Sequence, residues 1–83
     1  MSADTSSPNA LSRLTPGERG TVVRVGCARP VTRRLLEMGL LPGTEVEVVR
    51  VAPWGDPIEL TLRGYALSIR RSEAQAIEIE RLR

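Results

Sequence analysis

The chain has 83 residues, of which 41% are hydrophobic and 2% aromatic, and its formal net charge is +2. This length fits one domain with a thin aliphatic core, and the hydrophobic content is too high for a disordered chain. The low charge gives no reason to expect nucleic-acid binding, no apolar run is long enough to span a membrane, and the single cysteine, Cys27, suits a reducing cytoplasm.

The first ten residues predict a tail outside the folded domain. Residues 1–10 are mostly small and polar and include Pro8, which is typical of a disordered terminus. A single domain is therefore expected over residues 11–83. Its first strand is predicted over residues 20–25, where Val23 and Val25 alternate with a charged residue and should face the core.

A short amphipathic helix is predicted over about residues 30–38. Pro30 suits the first helical turn, where a missing N–H costs nothing. The apolar side chains of this segment recur at helical spacing and form one stripe: Val31, Leu35, Leu36 and Met38. Gly39 suits the left-handed position that ends a helix, so Leu40 should fold back onto the last turn. Because two turns of helix are unstable alone, this helix must pack against the rest of the domain.

The second strand is predicted over residues 44–52, and its pattern changes phase. Val46 and Val48 alternate with glutamates, but Val49 and Val51 then flank an arginine on the opposite phase. One strand cannot keep both sets on one face because its side chains alternate with a period of two. Either a β-bulge lies near Val48 and Val49, or both faces of the strand are covered there.

The rest of the chain predicts three more strands. A turn at residues 53–57 leads into a strand of alternating apolar residues, and Gly64 makes the next turn into a fourth strand. A single helical turn over residues 72–76, with Ser72 as its cap, precedes the last strand. The fold class is therefore mainly β: a small five-stranded barrel, closed or partly open, with one inserted short α-helix and a helical turn before the last strand.

The residue types favour a binding module over an enzyme. Histidine is absent, which removes imidazole acid–base catalysis and imidazole metal ligation. Cys27 alone cannot build a thiolate zinc site, and a packing role suits it better than a nucleophilic one. No phosphate-binding loop of the GxxxxGK[ST] type is present, so no nucleotide cofactor is expected. Glu45, Glu47 and Glu59 could together hold a hard cation, but an ordinary solvated sheet face is the favoured interpretation.

Six residues are candidates for contact with a partner. Leu40, Leu41 and Pro42 lie between a helix end and a strand start, where burying both leucines is difficult. Trp54 lies on a turn, and tryptophan is favoured at interaction hot spots, although packing over the end of the barrel is an equal alternative. Arg33 and Arg34 are most simply a solvated helix face, with partner binding as the alternative.

Four separated blocks of the sequence resemble one known family. They are GERGTVVRV at residues 17–25, RRLLEMGLLPGTEVEV at 33–48, GDPIEL at 55–60 and SIRRSEAQAIEI at 68–79. Together they are similar, in order and spacing, to ferrous iron transport protein A, FeoA. The resemblance implies an SH3-like barrel with an inserted helix. It also implies a bacterial cytoplasmic accessory protein whose partner is the ferrous iron membrane transporter, which carries a cytoplasmic G-protein domain.

Three functional hypotheses follow. The leading one is a non-catalytic adaptor that binds the cytoplasmic domain of the transporter and modulates iron uptake, so that it lies at the inner face of the membrane without inserting into it. The alternative is a carboxylate-based metal sensor, because a similar barrel is the C-terminal domain of iron-dependent repressors. The third, nucleic-acid binding, is disfavoured because two aromatic residues offer little stacking surface. Self-association is left open, since small barrels can pair through their edge strands.

Overall fold

The computed structural model describes residues 8–82. The helices and strands, in chain order, are β1 (Arg19–Val25), α1 (Arg29–Glu37), β2 (Glu45–Val51), β3 (Ile58–Leu62), β4 (Tyr65–Ile69), α2 (Arg71–Gln75) and β5 (Ile77–Leu82). A short 3-10 turn at Leu11–Arg13 precedes them. The mainly β class, the inserted helix and the helical turn before the last strand are confirmed.

The five strands form one antiparallel sheet in the order β4-β3-β2-β1-β5. The first and last strands therefore lie side by side, and Arg19 of β1 pairs with Leu82 of β5. Strands β3 and β4 form a hairpin in which Leu62 pairs with Tyr65. The sheet curls around a core of aliphatic side chains, as expected for a chain without phenylalanine.

Of the predicted tail, residues 1–10, only residues 8–10 belong to the described part of the chain. Residues 1–7 lie outside the described part of the chain. Ala10 is buried and forms a bridge with Glu78 of β5, while the carbonyl oxygen of Asn9 accepts a hydrogen bond of 2.7 Å from the N–H of Ile79. The ordered domain therefore begins before Leu11, because these two residues contribute backbone pairing to the last strand.

Strands β1 and β2 each carry a bulge within the same four-residue sequence, VVRV. The pairing of β2 with β3 shifts register between Val48 and Arg50, and Val49 is exposed, so of the two alternatives for β2 the bulge is the one that occurs. The pairing of β1 with β5 shifts in the same way between Val22 and Arg24. The prediction that Val23 faces the core was therefore wrong, because the bulge turns its side chain outward and leaves it 48% exposed while Val22 is buried.

The inserted helix is held through its apolar stripe and its C-terminal turn. Leu35 is fully buried, and Val31 and Met38 pack against the core. Gly39 has φ of +101°, and a Cβ at this position would lie 2.7 Å from the hydroxyl oxygen of Tyr65. Glycine is therefore required here both for the backbone conformation and for the space that the tyrosine hydroxyl occupies.

The second helix begins earlier than the sequence indicated. Its N-cap is Arg70, and the N–H of Arg70 donates a hydrogen bond of 2.9 Å to the carboxylate of Glu73. The prediction that Ser72 caps this turn was wrong, since Ser72 lies inside the helix. A glutamate three residues after the cap stabilises the first turn by reaching back to the backbone. Within residues 8–82, no helix is long and apolar enough to cross a membrane.

Candidate functional site

The six predicted contact residues do not form one surface. Leu41 and Pro42 precede β2, whereas Trp54 follows its other end. The seven residues of β2 rise about 20 Å, so these two groups lie at opposite ends of the strand. Arg33 and Arg34 lie on α1. The structure therefore offers separate candidate surfaces at the two ends of the barrel and along the helix.

Leu40 cannot be part of any surface, because its side chain is 0% exposed. Its N–H donates a hydrogen bond of 3.0 Å to the carbonyl oxygen of Leu35, so the chain folds back onto the helix as predicted. The expectation that Leu40 is presented to a partner is thereby corrected. Its position after the left-handed Gly39 directs the side chain into the core.

Leu41 and Pro42 remain at the surface on a firmly held turn. The side chain of Leu41 is 39% exposed, and Pro42 is also exposed. The carbonyl oxygen of Leu41 accepts a bond of 2.9 Å from the N–H of Thr44, and Gly43 donates one of 2.7 Å to the carbonyl oxygen of Val22. These bonds attach the turn to β1, so the two apolar side chains are displayed in a fixed orientation.

Trp54 is the most exposed large apolar side chain of the described residues, at 93%. Its turn is nevertheless anchored, because the N–H of Gly55 donates a bond of 2.7 Å to the carbonyl oxygen of Ala52. The carboxylate of Asp56 accepts a bond of 2.9 Å from the N–H of Arg71 at the start of α2. The interpretation that Trp54 packs over the end of the barrel is therefore wrong, and the indole ring faces solvent.

The two neighbouring arginines of α1 have different environments. The guanidinium of Arg34 forms an ion pair with the largely buried carboxylate of Glu73, a residue of α2. Arg34 therefore connects the two helices. Arg33 has no such acidic partner among residues 8–82, and together with Arg29 and Leu36 it lines a shallow groove of about 380 Å³ along α1. Of the two, Arg33 is the one whose charge is available to a partner.

Cys27 is a packing residue in a position unsuited to nucleophilic chemistry. Its thiol is partly buried against the core and donates a hydrogen bond of 3.7 Å to the carbonyl oxygen of Glu73. Burial raises the pKa of the thiol, the negative charge of Glu73 raises it further, and Arg34 opposes both effects. The thiol therefore stays protonated at neutral pH, where a nucleophile would need to be a thiolate.

The three carboxylates suggested as a cation site are not assembled into one. Glu45 is paired with Arg19 at 3.1 Å, and Glu59 is paired with Arg50 at 2.9 Å. Across residues 8–82, no group of three acidic or cysteine side chains is placed to hold a metal ion. Two of the three candidate ligands are instead held by arginines.

A second groove, which the sequence did not indicate, lies beside the β3–β4 hairpin. It has a volume of about 600 Å³, and its walls include Glu47, Arg63 and Tyr65. The hydroxyl of Tyr65 donates a hydrogen bond to the carbonyl oxygen of Met38, and this bond fixes one wall against the end of α1. Tyr65 and Met38 are 27 residues apart in the chain, so no local sequence pattern indicates this contact.

A family model and one curated relative match nearly the whole described chain. The model, described as FeoA domain, matches residues 9–81. A protein of Porphyromonas gingivalis named Fe(2+) transport protein A/Fe(2+) transporter FeoB fusion protein is 39% identical over 70 residues, which are 84% of this chain. The match covers only 8% of the length of that relative.

Several solved structures share the fold. The FeoA protein of Chlorobium tepidum is 42% identical, with a TM-score of 0.85 over 89% of this chain and 70% of that chain. The Stenotrophomonas maltophilia FeoA complexed with zinc, described as an SH3 domain protein, is 28% identical, with a TM-score of 0.75 over 86% of this chain and 88% of that one. An IdeR structure from T. acidophilum, at 18% identity and a TM-score of 0.79, shares the fold alone.

Proposed function

Because this chain belongs to the FeoA family, we propose that it is a non-catalytic accessory protein of ferrous iron uptake that binds the cytoplasmic domain of the iron transporter. The observation that carries this proposal is the Porphyromonas gingivalis relative, in which a similar segment shares one polypeptide with FeoB. Fusion in one polypeptide keeps two segments at a high effective concentration, and this supports an association of the corresponding separate chains.

The chemistry of the described residues supports an adaptor rather than an enzyme. The chain has no histidine, and its one thiol has a raised pKa. The surface instead displays ordered apolar groups on anchored turns. We propose that the protein is cytoplasmic and reaches the inner face of the membrane only through its partner.

The proposed contact residues are those that the fold leaves exposed. Trp54 offers the largest apolar side chain, and its turn is already ordered by hydrogen bonds, so little conformational entropy is lost when it binds. Leu41 and Pro42 form a second contact at the other end of β2, and Arg33 a third on α1. We assign the main contribution to Trp54, since single aromatic residues often dominate protein interfaces.

Calorimetry with the purified cytoplasmic domain of the cognate transporter tests the proposal. Saturable binding is expected, together with a change in fluorescence from Trp54, which is the only tryptophan. In a strain lacking this protein, ferrous iron uptake should fall and be restored by the wild-type chain. Absence of binding together with normal uptake would refute the proposed function.

Metal binding is a second candidate function, favoured by the zinc complex of the Stenotrophomonas maltophilia relative. In this chain Glu47 would have to be joined by Glu45 and Glu59, which first leave their arginine partners. Carboxylates alone bind ferrous iron less well than mixed ligands do, so weak binding is expected. Anaerobic titration calorimetry with iron, manganese and zinc tests this. A heat of metal binding that is measured with the wild type and is absent from Glu45→Ala and Glu59→Ala would support the site. A heat of binding that is unchanged in both variants would exclude it.

A further inference from the structure

The outer side of α1 carries three charged side chains that lie one helical turn apart. Arg29, Arg33 and Glu37 recur at every fourth residue, so they follow one side of the helix, and all three are exposed. None of them forms an ion pair within the part of the chain that the structure describes. Arg34, by contrast, is paired with Glu73. The three charges are therefore available to a partner, in the order positive, positive, negative.

The groove between these charges also offers apolar surface. The half-buried side chains of Thr32 and Leu36 contribute to its lining. The hydroxyl of Thr32 donates a hydrogen bond of 2.8 Å to the carbonyl oxygen of Cys27, so its polar atom is already satisfied. A second hollow of about 330 Å³ adjoins the groove and shares Arg29 and Arg33 with it. The surface can therefore take an apolar side chain beside the charged ones.

The charges at the start of α1 are unfavourable for the free helix. The N-terminus of a helix carries a partial positive charge, so acidic residues stabilise the first turn and basic residues do not. Here the helix begins with Arg29, its first turn contains no acidic residue, and Ala28 provides no side-chain cap. Arg33 adds a second positive charge at a spacing where like charges repel. A bound anionic group would remove this unfavourable interaction.

The order of the charges indicates which kind of anionic partner fits. A surface that is negative throughout, such as a nucleic acid or an anionic membrane, would be repelled by Glu37. A protein helix can place two acidic residues and one basic residue at the same four-residue spacing, about 6 Å along its axis for each step. It can also bury an apolar side chain against Leu36. A helix of a protein is therefore the occupant that matches all three charges.

We propose that the groove along α1 binds a helix of a partner protein whose facing side carries two acidic residues and then one basic residue at four-residue spacing, with an apolar residue among them. The carboxylates bind Arg29 and Arg33, and the basic residue binds Glu37. This inference deepens the proposed function, on which it rests for the identity of the partner. The complementary helix should bind even when it is separated from the rest of that partner.

The test is an NMR titration of isotope-labelled full-length protein with a designed helix. The probe is a blocked, alanine-rich peptide of about 20 residues, long enough to be helical alone, with two glutamates and a lysine at four-residue spacing and a leucine among them. Two versions place the lysine at either end of the pattern, for the two directions of docking. With one version, saturable shifts are expected at the amides of Thr32 and Leu36 and at the side-chain N–H of Arg33.

Two other probes test the specificity of this binding. A peptide with lysine in place of both glutamates should bind at least about tenfold more weakly. No shift with either original version, or equal binding of this control, would overturn the proposal. Equal shifts with inorganic tripolyphosphate would also overturn it, because they would indicate a general anion site. Since no transporter is present, this titration can fail while the transporter domain still binds, and calorimetry with that domain can fail while the peptide binds.

Glu37→Lys gives a charge-swap test. It should weaken binding of the peptide about tenfold, and a peptide whose lysine is changed to glutamate should recover most of the loss. Arg33→Glu should weaken binding of the original peptide to a similar extent. Arg63→Glu, which changes the net charge equally at the turn between β3 and β4, should bind normally. Equal effects of the Arg33 and Arg63 variants, both folded by circular dichroism, would contradict the proposal.

The melting temperature of Arg29→Glu separates a binding role from a structural one. A glutamate at the first position of α1 interacts favourably with the helix N-terminus and with Arg33 one turn later, so this variant should melt at a higher temperature than the wild type. It should also bind the peptide about tenfold more weakly. A lower melting temperature would show that Arg29 stabilises the fold, and the unfavourable charge on which the proposal rests would then be refuted.

Discussion

At the scale of single residues, Leu40 and Leu41 are adjacent in sequence and opposite in environment. The first is fully buried and the second is partly exposed, because the left-handed Gly39 sets the direction of the chain between helix and strand. The sequence could show that burying both leucines is difficult. It could not show which one is buried, because that depends on the packing around Leu35.

The two leucines give a matched test of stability. Leu40→Ala should lower the free energy of unfolding by about 2–5 kcal/mol, because it leaves a cavity in a close-packed core. Leu41→Ala should cost less than about 1 kcal/mol, because much of its side chain already contacts water. Urea denaturation followed by circular dichroism measures both values. Equal losses in the two variants would contradict the packing described here.

Trp54 should matter for binding and not for folding. Trp54→Ala should change stability by less than about 0.5 kcal/mol, since the side chain is almost fully solvated. It should weaken binding to the cytoplasmic domain of the transporter by about 2 kcal/mol if it is the main contact. Val49→Ala, at another exposed apolar position, is the control for a non-specific surface effect. Undiminished affinity in Trp54→Ala would remove this residue from the proposed surface.

At the scale of elements, the ion pair between Arg34 and Glu73 joins the two helices. Glu73 also accepts the N–H of Arg70, so one largely buried carboxylate orders the start of α2 and binds α1. Arg34→Ala should therefore lower stability by about 1–2 kcal/mol, which is toward the low end for a hydrogen bond between charged groups because the guanidinium of Arg34 is half exposed to solvent. Arg33→Ala should cost less than about 0.5 kcal/mol.

Thermal denaturation of these two arginine variants side by side gives the comparison. Because the substitutions are identical and adjacent on one helix, differences in helix propensity cancel. Equal melting temperatures would show that the ion pair does not hold the helices together in solution.

The bulges show what the sequence predicts about the elements and where prediction fails. In β2, Glu45 and Glu47 mark the outer face clearly, so the change of phase at Val48 and Val49 can be read from the pattern. In β1 the same VVRV sequence follows Gly20 and Thr21, which mark neither face. The outer position of Val23 is consequently visible only from the pairing with β5.

The candidate surfaces were less predictable than the elements. The sequence pointed to an exposed Trp54, but burial over the barrel end was an equal alternative, and only the exposure of the indole ring in the structure decides between them. The ion pair of Arg34 with Glu73 joins residues far apart in the chain, so no local pattern reveals it. The position of β4 at the edge of the sheet depends on strand order, which a single sequence does not display.

At the scale of the whole molecule, Glu18 connects the segment before β1 with the last strand, β5. Its carboxylate accepts bonds from the N–H and hydroxyl of Thr15 at 2.8 and 3.0 Å and lies 3.3 Å from the guanidinium of Arg81 on β5. The bonds from Thr15, followed by the charge of Arg81, lower the pKa of Glu18. Ionised Glu18 is therefore favoured more in the folded state than in the unfolded state.

The lowered pKa predicts a pH dependence of stability. The contribution of Glu18 is present above the carboxyl pKa of the unfolded chain, about 4.3, and is lost as pH falls through the lower pKa of the folded state. Glu18→Gln should be less stable than the wild type at pH 7, and the two should converge in acid. Melting temperatures between pH 2 and pH 7 measure the difference, and a constant gap would contradict this role.

The strand order also bears on how quickly the barrel can form. The β3–β4 hairpin closes over a two-residue turn, whereas β1 and β5 must bring together residues from opposite ends of the domain. Local hairpins form in about 1–10 µs, and pairings between distant segments are slowed by the entropy of closing a long loop. Strand pairing should therefore begin at the turn formed by Arg63 and Gly64, and the pairing of β5 with β1 should form late. During that interval the edge of β1 is open as well as the edge of β4, so refolding at high concentration is the condition under which chains would associate wrongly.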